Sequence, residues 1–281
     1  MNAFSTIPFE LVDKLNPERI VRGRVTLPDL STPVPFVLLI HGHRSFMDWA
    51  FMPLIANRLA AAGLASVAFN MSGSGIGPDL DHFTELEAFA KNTYSQELED
   101  IERVQAEVNS GRFPGVDPAR GGIFGHSRGG GMALLHAARR GSFSALCLWA
   151  PMHRVALFGK ESRALFEERG FIDSPIGGGR TLRLDRDIID DAHNHRDQLN
   201  IAAACAKIQS QTLLLYGDHD PLHTKGGGTE LQRAFKSITP EVGVVEHTGH
   251  TFGARHPLRG VPDPLEQALS LTIDWFTTHL S

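Results

Sequence analysis

A series of short apolar runs separated by helical patterns constrains this chain more than any other feature. The runs are Ile20–Thr26, Pro35–Ile40, Ala65–Asn70, Gly121–Phe124, Ala145–Trp149, Thr212–Tyr216 and Val242–Glu246. Several are apolar throughout, which is the pattern of strands covered on both faces. Between them, Asp48–Ala62, Thr84–Val108, Arg128–Arg140, Thr229–Lys236 and Pro264–Leu280 carry apolar residues at helical spacing. Strands that alternate with helices require βαβ crossovers, so the expected fold is α/β, with a mostly parallel sheet flanked by helices. The N-terminal segment is expected to add one or two antiparallel edge strands.

One stretch breaks the rhythm. No clear strand appears between Trp149 and Thr212, where Gly177-Gly178-Gly179 precedes the charged run Arg183–Gln198. A structureless loop of that length is uncommon in a compact domain. Residues 152–206 are therefore read as a small helical cap or lid inserted into a core made of 1–151 and 207–281. Its apolar residues Leu157, Phe158, Leu165, Phe166, Phe171 and Ile172 are expected to line a substrate pocket.

The segment Ile123-Phe124-Gly125-His126-Ser127-Arg128-Gly129-Gly130-Gly131 carries the chemistry. Gly125, Ser127 and Gly129 form G-x-S-x-G between a strand and an Ala- and Leu-rich helix, the context in which that motif presents a nucleophile. A serine there sits on a sharp, strained turn, and glycines two residues either side avoid collisions with neighbouring elements. The helix N-terminus beneath it favours developing negative charge.

A serine hydroxyl needs a base, and the base needs an orienting acid. The loop after Thr212–Tyr216 reads Gly217-Asp218-His219-Asp220-Pro221 and supplies Asp220 as the acid, with Asp218 as the alternative. The loop after Val242–Glu246 reads His247-Thr248-Gly249-His250-Thr251-Phe252 and supplies His250 as the base. Donors for an oxyanion are expected from the backbone N–H of Arg128 and that of His43 in His41-Gly42-His43-Arg44. The side chain of Arg44 or Arg128 could pair with a substrate carboxylate, although a structural salt bridge is the plainer expectation. His126 is read as a packing residue.

Composition removes other classes. Lys and Arg number 27 against 32 Asp and Glu, a net charge of −5 that disfavours a nucleic-acid partner. No apolar run approaches the roughly 20 residues that span a bilayer. The start, MNAFSTIPFELVDK, lacks a signal-peptide pattern, so the expected location is the cytoplasm, with no membrane partner. The 14 histidines raise a metal reading, through the pairs His41/His43, His193/His195 and His219/His223. No HExxH pattern or converging ligand set appears, and no metal or cofactor is expected. Cys147 and Cys205 are read as inert core thiols.

These segments together resemble the α/β-hydrolase superfamily over all but the inserted stretch. Phe69-Asn70-Met71-Ser72-Gly73-Ser74-Gly75, the Gly-His-Ser-Arg-Gly-Gly elbow and Gly249-His250-Thr251-Phe252-Gly253 are similar to dienelactone-hydrolase-like and prolyl-oligopeptidase-like esterases. The resemblance implies an eight-stranded sheet, a Ser-His-Asp hydrolase and no cofactor. Dienelactone hydrolase itself uses cysteine where this chain has Ser127. The expected function is a carboxylesterase acting on a small-molecule ester. A serine peptidase or amidase, and a non-catalytic ligand-binding protein on the same fold, are the alternatives, and self-association into a homo-oligomer stays open.

Overall fold

In the computed structural model, which describes residues 4–29, 31–177 and 179–280, all seven residues of Val34–Ile40 are buried. They sit near the middle of a sheet packed on both sides, which is why the run carries no polar alternation.

The elements follow in chain order: β1 (Phe4–Val12), β2 (Ile20–Pro28), β3 (Val34–Ile40), α1 (Met52–Ala61), β4 (Ala65–Asn70), α2 (Leu86–Ala90) and α3 (Tyr94–Asn109). Next come β5 (Val116–His126), α4 (Arg128–Arg140), β6 (Phe143–Trp149), α5 (Lys160–Arg169), β7 (Phe171–Gly177), β8 (Arg180–Asp185), α6 (Asp187–Asn194) and α7 (Ile201–Cys205). The chain closes with β9 (Gln211–Gly217), α8 (Pro221–Thr224), α9 (Gly227–Ala234), β10 (Glu241–Val245) and α10 (Asp263–Leu280).

Eight strands form one sheet in the order β1-β2-β4-β3-β5-β6-β9-β10. Strand β2 runs antiparallel to both β1 and β4, and the remaining neighbours are parallel. The fold is thus α/β, with an eight-stranded, mostly parallel sheet flanked by helices. Successive side chains of β3 enter opposite layers, as the period of a strand requires. Phe36, Leu38 and Ile40 join the core beneath α3, α4 and α7. Val37 and Leu39 join the core beneath α1 and α10, with Trp149 and Phe276. Among the described residues no helix is long and apolar enough to cross a membrane.

Two expectations need correction. The single helix expected over Thr84–Val108 is two, α2 and α3. The Thr93 side chain accepts the Gln96 N–H and the Gln96 side chain accepts the Thr93 N–H, a capping box that starts a new helix. The inserted stretch, expected to be helical, also holds a two-stranded antiparallel sheet of β7 and β8. Leu182 and Leu184 alternate inward on β8 and are buried, so the hairpin has one apolar face to pack.

Candidate active site

The C-terminal ends of β5, β9 and β10 bring Ser127, Asp220 and His250 together. Ser127 follows β5 at once and caps α4 with φ 55° and ψ −117°. A positive φ is costly for a residue with a Cβ, on the order of 1–3 kcal/mol, and must be held by the surroundings. Its N–H donates to the Trp149 carbonyl at 2.9 Å, and its carbonyl accepts from Met152 N at 2.9 Å. The turn is possible only with glycine beside it: a Cβ on Gly125 would meet the Gly129 carbonyl, and one on Gly129 the carbonyls of Ile40 and His41.

His250 Nε2 lies 2.9 Å from Ser127 Oγ. Its Nδ1 lies 3.2 Å and 3.1 Å from the two carboxylate oxygens of Asp220. A carboxylate only accepts, so Nδ1 carries the proton and Nε2 is free to receive one from the serine. Asp220 is fully buried, and its Oδ1 also accepts the Leu222 N–H at 2.9 Å as the N-cap of α8.

The alternative acid, Asp218, does something else. Its two carboxylate oxygens accept the main-chain N–H groups of His247 and Thr248, each at 2.9 Å, and these bonds hold its carboxyl below the usual range. It clamps the loop that carries His250. Sequence offers Asp218 only as an alternative acid; the β9–β10 pairing shows that its partners are 29 and 30 residues away.

The loop after β3 runs against the elbow. A Cβ on Gly42 would lie 3.1 Å from the His126 carbonyl and 3.2 Å from Ser127 Cβ. Among the described residues neither the His43 nor the Arg128 N–H donates to a protein acceptor. Two main-chain donors therefore stand unspent beside Ser127. His41 anchors this loop as a neutral imidazole: Nδ1 donates to Gly42 O at 2.9 Å, and Nε2 accepts from Met71 N at 3.3 Å. Burial brings its pKa down to about 4. His43 stacks on Phe89 with ring centroids 5.4 Å apart, and burial pushes its pKa well down, helped by the charges of Arg128 and Arg44.

The two arginines differ in role. The Arg128 guanidinium is buried against Glu97 at 3.3 Å and over the Tyr94 ring at 5.2 Å, so it is a structural pair under α4. Arg44, at φ 58°, donates to the Pro175 carbonyl of β7 at 2.6 Å. The neighbouring Ser174 hydroxyl is 3.3 Å from His43 Nε2. The hairpin is thus fastened to the same loop that offers the His43 N–H.

A cavity of about 660 Å³ lies between Arg44, Phe46 and Trp49 on one side and Ala254–Pro257, past His250, on the other. The insertion contributes Ile176 and Arg180 to its wall. None of the six apolar residues of the insertion lines this cavity; Phe166 is buried in the main core, where Phe158 and Ile172 pack against it, and Leu157 is exposed. Among the described residues no group of three His, Cys, Asp or Glu side chains could hold a metal ion.

Comparison with known proteins agrees with this architecture. No curated protein matches the chain in sequence. Among solved structures, a protein of Agrobacterium vitis S4 assigned as a hydrolase superposes with a TM-score of 0.72 at 17% identity, covering 99% of this chain and 100% of that one. Dienelactone hydrolase from Anabaena variabilis gives 0.61 at 17% identity, over 98% of this chain and 99% of that one. A carboxyl esterase from Tuber melanosporum gives 0.64 at 20% identity, over 99% and 88%. The sequence pattern of the alpha/beta hydrolase family matches residues 37–262, most of the chain. The chain belongs to the alpha/beta hydrolase family and is a hydrolytic enzyme.

Proposed function

We propose that this hydrolase cleaves carboxylic esters through an acyl-enzyme on Ser127. The observation that carries the reading is the unbroken line from Asp220 through His250 to Ser127 Oγ, with Nε2 to Oγ at 2.9 Å. His250 takes the Ser127 proton as the oxygen attacks the ester carbonyl. The N–H groups of His43 and Arg128 hold the oxyanion, where preorganised donors are worth most. The alcohol leaves with the proton from His250. Water, deprotonated by the same imidazole, then releases the acid. Asp220 keeps the proton on Nδ1 and stabilises the imidazolium.

The remainder of the substrate lies in the cavity beside the oxyanion loop. Phe46, Trp49 and Phe83 give it aromatic walls, and Arg44, Arg180 and Arg255 reach it. Asp81 also lines the cavity, beside His256, but among the described residues no carboxylate comes within ion-pair distance of these three arginines; the excess of positive charge favours an ester that carries negative charge. The carboxyl esterase and dienelactone hydrolase neighbours support an ester or lactone carbonyl.

The test is Ser127→Ala against a panel of nitrophenyl esters. Loss of kcat by on the order of 10⁴–10⁶ is expected, and wild-type turnover in the variant sinks the reading. Faster hydrolysis of peptide anilides than of esters marks an amidase instead. Failure of a fluorophosphonate probe to label the wild-type serine marks a non-catalytic binding protein.

A further inference from the structure

We propose that His126 is a positioning residue, which fixes the base His250 against the nucleophile elbow. The inference rests on the Ser127–His250–Asp220 reading and goes beyond it. His126 precedes Ser127, is 5% exposed, and packs edge-on to Phe51 with centroids 5.2 Å apart. Its ring centroid is 4.9 Å from that of His250. Its Nε2 is 3.0 Å from the His250 main-chain carbonyl.

A carbonyl oxygen only accepts, so Nε2 carries the proton and donates it. The bare Nδ1 is then buried with no hydrogen-bond partner. An unpartnered buried acceptor is costly, about 1–3 kcal/mol, and packing alone does not call for an imidazole there. Burial and the charge on His250 bring the His126 pKa down to about 3, so it stays a neutral donor throughout turnover.

The loop around His250 needs such a tether. His247 and Phe252 hold positive φ of 57° and 52°, a strained backbone that would otherwise relax. Asp218 holds the loop at His247 and Thr248, before the base. Among the described residues the bond from His126 is the one hydrogen bond made to the main chain of His250. One residue thus locks the base, and its chain neighbour is the nucleophile. Drift of the His250 backbone away from the elbow must stretch or break this bond.

The test compares His126→Gln, whose amide N–H reaches about as far as Nε2–H, with His126→Met, of similar length but without a donor. In the Met variant kcat on nitrophenyl esters should fall by about 10- to 100-fold with KM within about twofold, since a misplacement of about 1 Å can cost 10²-fold. The rate of fluorophosphonate labelling of Ser127 should fall in parallel, and the Gln variant should regain both to within about threefold. A merely structural role moves melting temperature alike in the two variants and leaves no difference in kcat. Wild-type kcat in the Met variant, or equal loss in Gln and Met, overturns the inference. If His126→Met does not fold, His126→Asn replaces it, because its amide is one bond too short, and full activity there is equally fatal. Ser127→Ala separates the two readings: if that variant keeps activity, the triad itself is wrong, whereas an inactive Ser127→Ala beside a fully active Met variant removes only the role of His126.

Discussion

Three buried, uncharged imidazoles make this protein acid-sensitive by an amount that can be worked out. His41, His126 and His136 are 6%, 5% and 0% exposed. Burial lowers their pKa values from 6.5 to about 4, about 3 and about 3. The folded values lie below the unfolded one, so the unfolded chain takes up protons first as the pH falls. Their contribution is complete above about pH 6.5 and is lost progressively below it, toward the folded pKa. At about 1.4 kcal/mol per pH unit, each costs about 2 kcal/mol between pH 7 and pH 5. Together they remove about 6 kcal/mol, which is comparable to the whole stability of many domains. His136 offers a clean test because it lies on α4, away from the reacting groups, with Nε2 2.5 Å from Gln105 Oε1. Urea unfolding of wild type and His136→Leu at pH 7 and pH 5 gives the four stabilities needed. Losing the Gln105 contact costs the same at both pH values and cancels in the difference. The variant should lose about 2 kcal/mol less than wild type on acidification. An equal loss in both proteins would refute the argument that burial keeps His136 neutral.

Further outcomes follow from the same geometry. Asp220→Asn should leave the fold and the ester KM in place and lower kcat by on the order of 10⁴, because the amide favours the wrong imidazole tautomer. Gly129→Ala puts a methyl against the Ile40 and His41 carbonyls. It should lower the melting temperature by the equivalent of about 1–3 kcal/mol, as overpacking does, and a neutral result contradicts the packing described. Arg180→Ala should raise KM for an ester with a carboxylate by about tenfold, about 1.4 kcal/mol, and leave its neutral analogue unchanged. An equal change for both esters removes charge recognition from the cavity.

The hydrolase core was legible because its signals are local. β3 is apolar at every position, and Gly125-x-Ser127-x-Gly129 stands between a strand and a helix. The less local features were not. Asp218 and Asp220 sit in one loop with the same chemistry, and only the register of β9 on β10 decides which meets His250 and which meets His247 and Thr248. The β7–β8 hairpin is masked by Pro175 in one strand and by charged residues on the outward face of the other, so that only the short alternations Ile172/Ile176 and Leu182/Leu184 carry its period. The break between α2 and α3 was available in Thr93 and Gln96, a capping pair hidden inside a continuous helical pattern. An apolar residue in the insertion does not by itself say whether it faces a ligand or the core, and Phe158, Phe166 and Ile172 face the core.

The bonds from β7 to the loop after β3 bear on how such an enzyme can diversify. Ser174 and Pro175 grip His43 and Arg44, so the insertion is not a detachable module grafted over a finished machine. On the proposed reading, exchanging this hairpin for another alters turnover and selectivity in the same step. New specificity in this architecture is therefore reached more safely by changing single residues at the hairpin's free end, such as Arg180, than by replacing the hairpin whole.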